Sequence, residues 1–274
     1  MPLLSPHASA DVKAAVFRML GYSGLLLPVF RGWETMRSVG VQTTVIGIDG
    51  LPLPPLPLLI KAVGTTDPSW FFEGGQLAKE SILASLQRAG VKLDSLHSVL
   101  DFGCGCGRVL RTWHGLGPKM YGSDLNPRAV AWCRKNLPFV NASANSAEPP
   151  LHYVDSSFDF IYSLSVFTHL TVDGQFAWLD EFHRVLRPGG HLLITLHGEA
   201  YASRLRPDEL KHFNAGECVV RRAGVAGSNL CSTFHPHSFF RNRLPDGWTF
   251  IEHVPRGARG NPEQDILLLK KCGE

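Results

Sequence analysis

Ser98-Val99-Leu100-Asp101-Phe102-Gly103-Cys104-Gly105-Cys106-Gly107-Arg108-Val109-Leu110 is the stretch on which the fold turns. An apolar run ends in three glycines on alternate positions, and apolar residues resume at Val109. The pattern predicts a strand, a glycine-studded turn and the start of a helix. Glycine adopts backbone dihedrals closed to other residues and lets a ligand approach the main chain, while a helix beyond it would present unpaired N–H groups. Such a junction is a ligand site. Cys104 and Cys106 stand where small residues are needed, so space accounts for them better than metal or redox chemistry.

The next segment outward, Tyr121-Gly122-Ser123-Asp124-Leu125-Asn126-Pro127, puts an acid at the end of a second strand. It falls roughly 20 residues after the first, the distance at which a carboxylate accepts the hydroxyls of a ribose. Asn126 before Pro127 is placed to cap a helix. Ser98–Phe102, Lys119–Ser123, Phe158–Tyr162 and His191–Leu196 read as buried parallel strands alternating with helical stretches. That alternation means an α/β, doubly wound sheet. Between the last two strands, Thr171 caps a crossover helix with Phe176, Leu179, Phe182, Val185 and Leu186 on one side, ended by Arg187-Pro188-Gly189-Gly190. Downstream, the pattern gives a helix near Pro236–Leu244 and two edge strands at Thr249–Val254 and Asp265–Lys270.

Upstream of the sheet, Ser9–Leu20 suits a short helix. Residues 49–60 carry four prolines, which deny a helix or central strand its donors, so they should run extended as a strap. After Trp70-Phe71-Phe72 a helix is expected over Gln76–Ala89. The chain thus divides into an N-terminal extension and lid at 1–95 and a catalytic domain at 96–274.

A chain of 274 residues with 44% hydrophobic and 19% charged residues buries an ordinary globular core. The net charge of +3 comes without any run of like charge able to follow a phosphate backbone, which argues against a nucleic-acid partner. The longest apolar stretches fall far below the ~20 residues of a membrane helix, and the N-terminus lacks the succession of a secretory signal. Six cysteines without a C-x-x-C pair imply a reduced, cytoplasmic setting and no metal site. Oligomeric state is left open.

Val-Leu-Asp-Phe-Gly-Cys-Gly-Cys-Gly-Arg, Gly-Ser-Asp-Leu-Asn-Pro, Ser-Phe-Asp-Phe-Ile-Tyr-Ser and Arg-Val-Leu-Arg-Pro-Gly-Gly, in that order, resemble the class I S-adenosylmethionine-dependent methyltransferases over about a hundred residues. The resemblance implies a Rossmann-like, mostly parallel seven-stranded sheet. It implies that Asp101, Gly103, Cys104, Gly105 and Gly107 hold the methionine part of the cofactor S-adenosyl-L-methionine and of its product S-adenosyl-L-homocysteine. Asp124, with Leu125 and Asn126, would hold the ribose. Asn145, Ser146 and Ala147 would flank adenine, a departure from the family's usual Asp, although an amide can still pair with the base. Ser163 to Phe167 would border the sulfonium and its methyl group.

Methyl transfer from a sulfonium is an in-line displacement in which the protein chiefly aligns the partners, so no dedicated base is required. Should the acceptor be a hydroxyl of a small molecule, His169 lies beyond the fourth strand, where ligands bind in such sheets, and is the candidate base. Trp70-Phe71-Phe72 could line an acceptor pocket. A nicotinamide-dependent oxidoreductase is the first rival, disfavoured because Gly103-x-Gly105-x-Gly107 lacks the G-x-G-x-x-G interval matched to a pyrophosphate. A non-catalytic protein that binds the same cofactor is the second.

Overall fold

The computed structural model describes residues 45–64, 67–261 and 263–273. The helix expected over Ser9–Leu20 lies outside them. Nine strands are assigned among the described residues: β1 (Ser98–Phe102), β2 (Lys119–Asp124), β3 (Val140–Ala144), β4 (Phe158–Ser163), β5 (Leu186–Leu196), β6 (Val219–Arg221), β7 (Ser232–Phe234), β8 (Trp248–Val254) and β9 (Asp265–Lys271). Seven form one sheet in the order β3-β2-β1-β4-β5-β9-β8, and β6 and β7 make a separate hairpin. The pairs from β3 to β5 are parallel. β9 enters antiparallel to β5 and β8. The order reverses at β1, so the crevice at a doubly wound sheet's switch point falls at the ends of β1 and β4.

Residues of alternate parity on β1 go to opposite faces, which gives the sheet two cores. Val99 packs on one side with Ala78, Ile82, Leu86, Leu110 and Trp113. Leu100 and Phe102 pack on the other with Trp178, Leu179 and Phe182. On β4 the register shifts between Phe158 and Phe160, so Phe158 joins the second core while Phe160 and Tyr162 fill the first. A bulge has this effect: one extra residue reverses the alternation.

Six α-helices flank the sheet among the described residues: α1 (Leu56–Val63), α2 (Ser69–Arg88), α3 (Pro127–Asn136), α4 (Val172–Val185), α5 (Pro207–Asn214) and α6 (Ser238–Arg243). Asn126 caps α3 by accepting from the Arg128 amide at 3.2 Å, and Thr171 caps α4 by accepting from that of Gly174 at 3.2 Å. Both caps follow the sequence reading.

Three expectations need correction. Residues 49–60 are not extended throughout, because α1 begins at Leu56, with Pro55 at its N-cap and Pro57 in its first turn. Proline is tolerated there because first-turn amides have no intrahelical partner to lose. α2 begins at Ser69 and not near Gln76, so Trp70, Phe71 and Phe72 form its first turn. The segment after the glycine loop makes only a short 3-10 turn, Leu110–Trp113, where a helix was expected.

α2 belongs to the main core through Ala78, Ile82 and Leu86, so residue 96 is a boundary along the chain and not between cores. The strap before α1 is fixed by Arg111, whose buried guanidinium donates to Asp49 Oδ1 at 2.7 Å and to the Leu51 carbonyl at 3.1 Å. It also lies over the rings of Phe71 and Phe72, at 5.3 and 5.0 Å. The Asp49 carboxyl feels burial, which raises its pKa, but its bonds and charge attraction to Arg111 prevail and hold it below the usual range.

Candidate active site

The glycine loop leaves β1 with Gly103, Gly105 and Gly107 at φ +83°, +52° and +79°. All three lie in the left-handed region that favours glycine. Their surroundings differ. A Cβ on Gly103 would stand 2.2 Å from Val166 Cγ2, and one on Gly107 would stand 2.5 Å from Leu137 Cδ1. At Gly105 a Cβ would meet nothing within 4 Å. Packing therefore demands the outer two glycines, while the middle one borders open space.

That open space is next to Asp124. Gly105 N donates to Asp124 Oδ2 at 2.7 Å, and Asn126 N donates to Oδ1 at 2.7 Å. Burial raises the pKa of this carboxyl, and the two backbone donors oppose the rise. Each oxygen keeps a further lone pair for a ligand hydroxyl. Beside it, Asn145 Oδ1 accepts from Ser123 Oγ at 2.9 Å and its amide N–H donates to the Ser146 carbonyl at 2.7 Å. Leu125, Ser146 and Ala147 are exposed around this rim. β1, β2 and β3 thus bring Asp101, Gly103, Gly105, Asp124 and Asn145 to one end of the sheet.

Asp101, at 4% exposure, sits at the foot of the loop. Burial pushes its carboxyl up to about 8, with Tyr162 and then the charge of Arg108 opposing the rise. Cys104 is buried, its sulfur 3.0 Å from where a Gly122 Cβ would stand. Ser163 and Phe167 are fully buried. The Ser163 hydroxyl has no protein partner among the described residues. Phe167 packs with Phe182 and Phe240 in the second core.

A cavity of about 300 Å³ opens where β4, α2 and the β8–β9 connection meet, lined by Trp70, Arg108, Ser165, Tyr201, Asn261 and Gln264 among others. It adjoins the glycine loop through Arg108, with Asp124 outside its lining. Ser165 has φ +57°, and its hydroxyl accepts from Asn261 Nδ2 at 2.5 Å and from Gln264 Nε2 at 2.8 Å. Of the aromatic triplet noted in the sequence, Trp70 lines the cavity, whereas Phe71 is core.

His169 does not line this cavity. Its Nδ1 pairs with the Cys231 carbonyl at 2.6 Å, and burial lowers its pKa, so the ring is neutral with Nδ1–H as donor. His197 stands 6.3 Å away, ring to ring, and in turn packs at a tilt against Tyr201 at 4.2 Å. His169 is therefore two rings behind the cavity wall. Arg108, Tyr201, Asn261 and Gln264 were not singled out from the sequence. The last two precede β9, more than 150 residues from the glycine loop, and only the folded chain brings them to it.

The family model described as "Methyltransferase domain" matches residues 100–194. A "Probable S-adenosylmethionine-dependent methyltransferase" of Mycolicibacterium smegmatis is 30% identical over 179 residues, which cover 62% of this chain and 68% of that protein. Against other curated relatives the match spans 40–46% of their length. Among solved structures, an S-adenosylmethionine-dependent methyltransferase from Mesorhizobium loti shares the fold with a TM-score of 0.53 at 18% identity, covering 70% of this chain and 98% of that one. The 1,6-didemethyltoxoflavin-N1-methyltransferase of Burkholderia thailandensis, solved with its acceptor and S-adenosylhomocysteine, gives a TM-score of 0.50 at 15% identity over 99% of this chain and 92% of that one. With the sheet order, the loop and these matches together, the chain belongs to the class I S-adenosylmethionine-dependent methyltransferases and is an enzyme of that family.

Proposed function

We propose that this enzyme methylates a small molecule held in the cavity lined by Trp70, Ser165 and Tyr201. The observation that carries this reading is the cavity's place and size: about 300 Å³, at the strand ends, against the glycine loop. Binding sites for small ligands begin at roughly that volume. The absence of a basic stripe in a chain of net charge +3 favours a small acceptor over a nucleic acid. Among the described residues, no helix is long and apolar enough to cross a membrane.

The residues present fit the cofactor. The open space over Gly105 admits a ligand against the main chain, and the half-buried Asp124 carboxylate beside it suits a ribose diol. In this reading Asp101 and Gly103–Gly107 hold the amino-acid end, Asp124 the ribose, and Asn145 the adenine. S-adenosylmethionine, when bound, supplies a methyl carbon made electrophilic by a sulfonium. The protein's own task is alignment, which can account for roughly 7–11 kcal/mol of barrier. Trp70 and Tyr201 orient the acceptor and exclude water. His169, neutral and two rings removed, holds His197 and Tyr201 in place and is not the proton acceptor.

Incubation with methyl-labelled cofactor and fractionated extract tests the proposal. Label should enter the small-molecule fraction, and the Tyr201→Ala variant should lose transfer while still binding S-adenosylhomocysteine. Label entering only tRNA or protein would refute a small acceptor.

A further inference from the structure

The hairpin of β6 and β7 is anchored beside the end of β5, where Phe234 bridges His197 and the His235 amide donates to the His197 carbonyl at 2.8 Å. From there it reaches the ends of other strands. Beyond β4, His169 ties it twice: its Nδ1–H donates to the Cys231 carbonyl at 2.6 Å, and its own carbonyl accepts from the Gly227 amide at 2.8 Å. The Thr233 hydroxyl adds a bond to the Leu170 carbonyl at 2.5 Å. Beyond β2, a Cβ on Gly227 would stand 3.6 Å from Leu125 Cδ2, ordinary van der Waals contact.

Gly227 thus meets a residue that follows β4 and a residue that follows β2. In the sheet only β1 separates those two strands, so their ends lie two strand spacings apart, about 10 Å. A segment that reaches both crosses the end of β1, where the glycine loop begins. The crossing segment is held in shape by its own bonds. The Val225 amide donates to the Arg222 carbonyl at 3.1 Å, Ser228 Oγ to the Val225 carbonyl at 2.7 Å, and Arg222 Nη1 to the Leu230 carbonyl at 3.1 Å. Arg222 itself turns the chain out of β6 at φ +56°, a left-handed conformation that persists in a residue with a side chain only where its surroundings fix it. From Ala223 to Ser228 the side chains are small, which lets the backbone come close to whatever lies beneath.

We infer that residues 222–231 form the outer wall of the nucleoside half of the site, fastened by His169, and that this wall lifts to admit the cofactor and to release the product. The inference rests on the family reading of Gly105 and Asp124. The empty space beside those two residues lies between the glycine loop and the crossing segment, so a nucleoside bound there has Gly227 on its outer side. His169 is a positioning residue: it acts through the wall that its two bonds hold down.

Rapid-mixing measurement of the association and dissociation of S-adenosylhomocysteine tests this. Replacing residues 223–228 with two glycines keeps the β6–β7 pairs and the Cys231 carbonyl while removing the segment that crosses β1. Dissociation should then quicken by about tenfold or more, because release no longer waits for the wall to lift. His169→Ala frees the Cys231 carbonyl and should quicken dissociation several-fold, whereas His169→Asn puts an amide N–H close to where Nδ1–H stood and should restore most of the wild-type rate. A folded shortened variant that releases the ligand at the wild-type rate overturns the inference. Hydrogen exchange on the wild type decides independently of any variant: the amides of residues 224–229 should exchange more slowly with S-adenosylhomocysteine bound, and identical exchange in the free and saturated protein overturns the wall as well. A wild type that binds no S-adenosylhomocysteine strikes the family reading and the wall with it, while binding with unchanged exchange strikes the wall alone.

Discussion

Gly105 offers a substitution that separates the fold from the site. The Gly105→Ala variant places a methyl group where the protein has nothing within 4 Å, so no core atom needs to shift. Its cost to folding is that of holding alanine at φ +52°, about 1–2 kcal/mol. In a chain of this size that lowers Tm by about 2–8 °C. The same methyl group enters the space where a cofactor lies against the main chain, so the affinity for S-adenosylhomocysteine should fall at least about tenfold, or about 1.4 kcal/mol. Gly107→Ala is the control. There the methyl group would stand 2.5 Å from Leu137 Cδ1 in a filled core, and overpacking of about 1–3 kcal/mol adds to a similar backbone cost at φ +79°. Thermal melts and calorimetry on both variants compare the two terms. If Gly105→Ala binds S-adenosylhomocysteine as wild type does, the ligand does not approach this loop, and the assignment of the site fails.

Asp124→Ala removes an acceptor for both ribose hydroxyls, each charge-assisted bond contributing ~1.5–3 kcal/mol, so affinity for S-adenosylhomocysteine should drop by about a hundredfold or more in the same titration. Asp49→Ala strands the buried Arg111 and should destabilise by about 2–3 kcal/mol in a urea melt. That is below the ~3–5 of a fully buried pair because the Asp49 side chain keeps 31% exposure; an unchanged midpoint would show that the strap is not anchored there. Burial holds His235 near 3 and His191 and His197 near 4, against 6.5 for free imidazole. Below pH 6.5 the unfolded chain therefore binds more protons at these sites, and the stability present above pH 6.5 is lost as the pH falls toward 4. Asp101, held near 8, opposes by one proton, so three minus one leaves two, and these four groups together contribute a slope near pH 5 of about 2–3 kcal/mol per pH unit. Calorimetric melts between pH 4.5 and 7 measure it, and His235→Gln should remove about half of that slope.

The strands of the sheet were legible because parallel strands buried on both faces read as continuous apolar runs, and the caps Asn126 and Thr171 were legible because capping is a local transaction between a side chain and an amide two or three residues away. α1 was hidden by its prolines, whose rule against helices lapses in the first turn. α2 was placed too late because Trp70, Phe71, Phe72, Gly74 and Gly75 carry weak helix propensity; the helix holds there through tertiary contact with Arg108 and Gly260. The glycines and Asp124 stood out by spacing, whereas the Arg108–Asn261–Gln264 side of the cavity joins segments far apart in the chain and has no local pattern. His169 drew attention by position after β4, but the bond to Cys231 that turns it away is made by a distant loop.

β9 is the last of the nine strands among the described residues, yet it sits inside the sheet, between β5 and β8. Its hydrogen bonds hold the flank of β5 from His191 to Leu196 and carry β8 with it. On the ribosome, the growing protein must therefore wait with an unzipped apolar edge at β5 until residues 265–271 emerge from the exit tunnel, a state exposed to mispairing with other nascent chains. Translation arrested before residue 265 should yield chains that proteases cut and chaperones retain, and release of the remaining residues should close the sheet in one step.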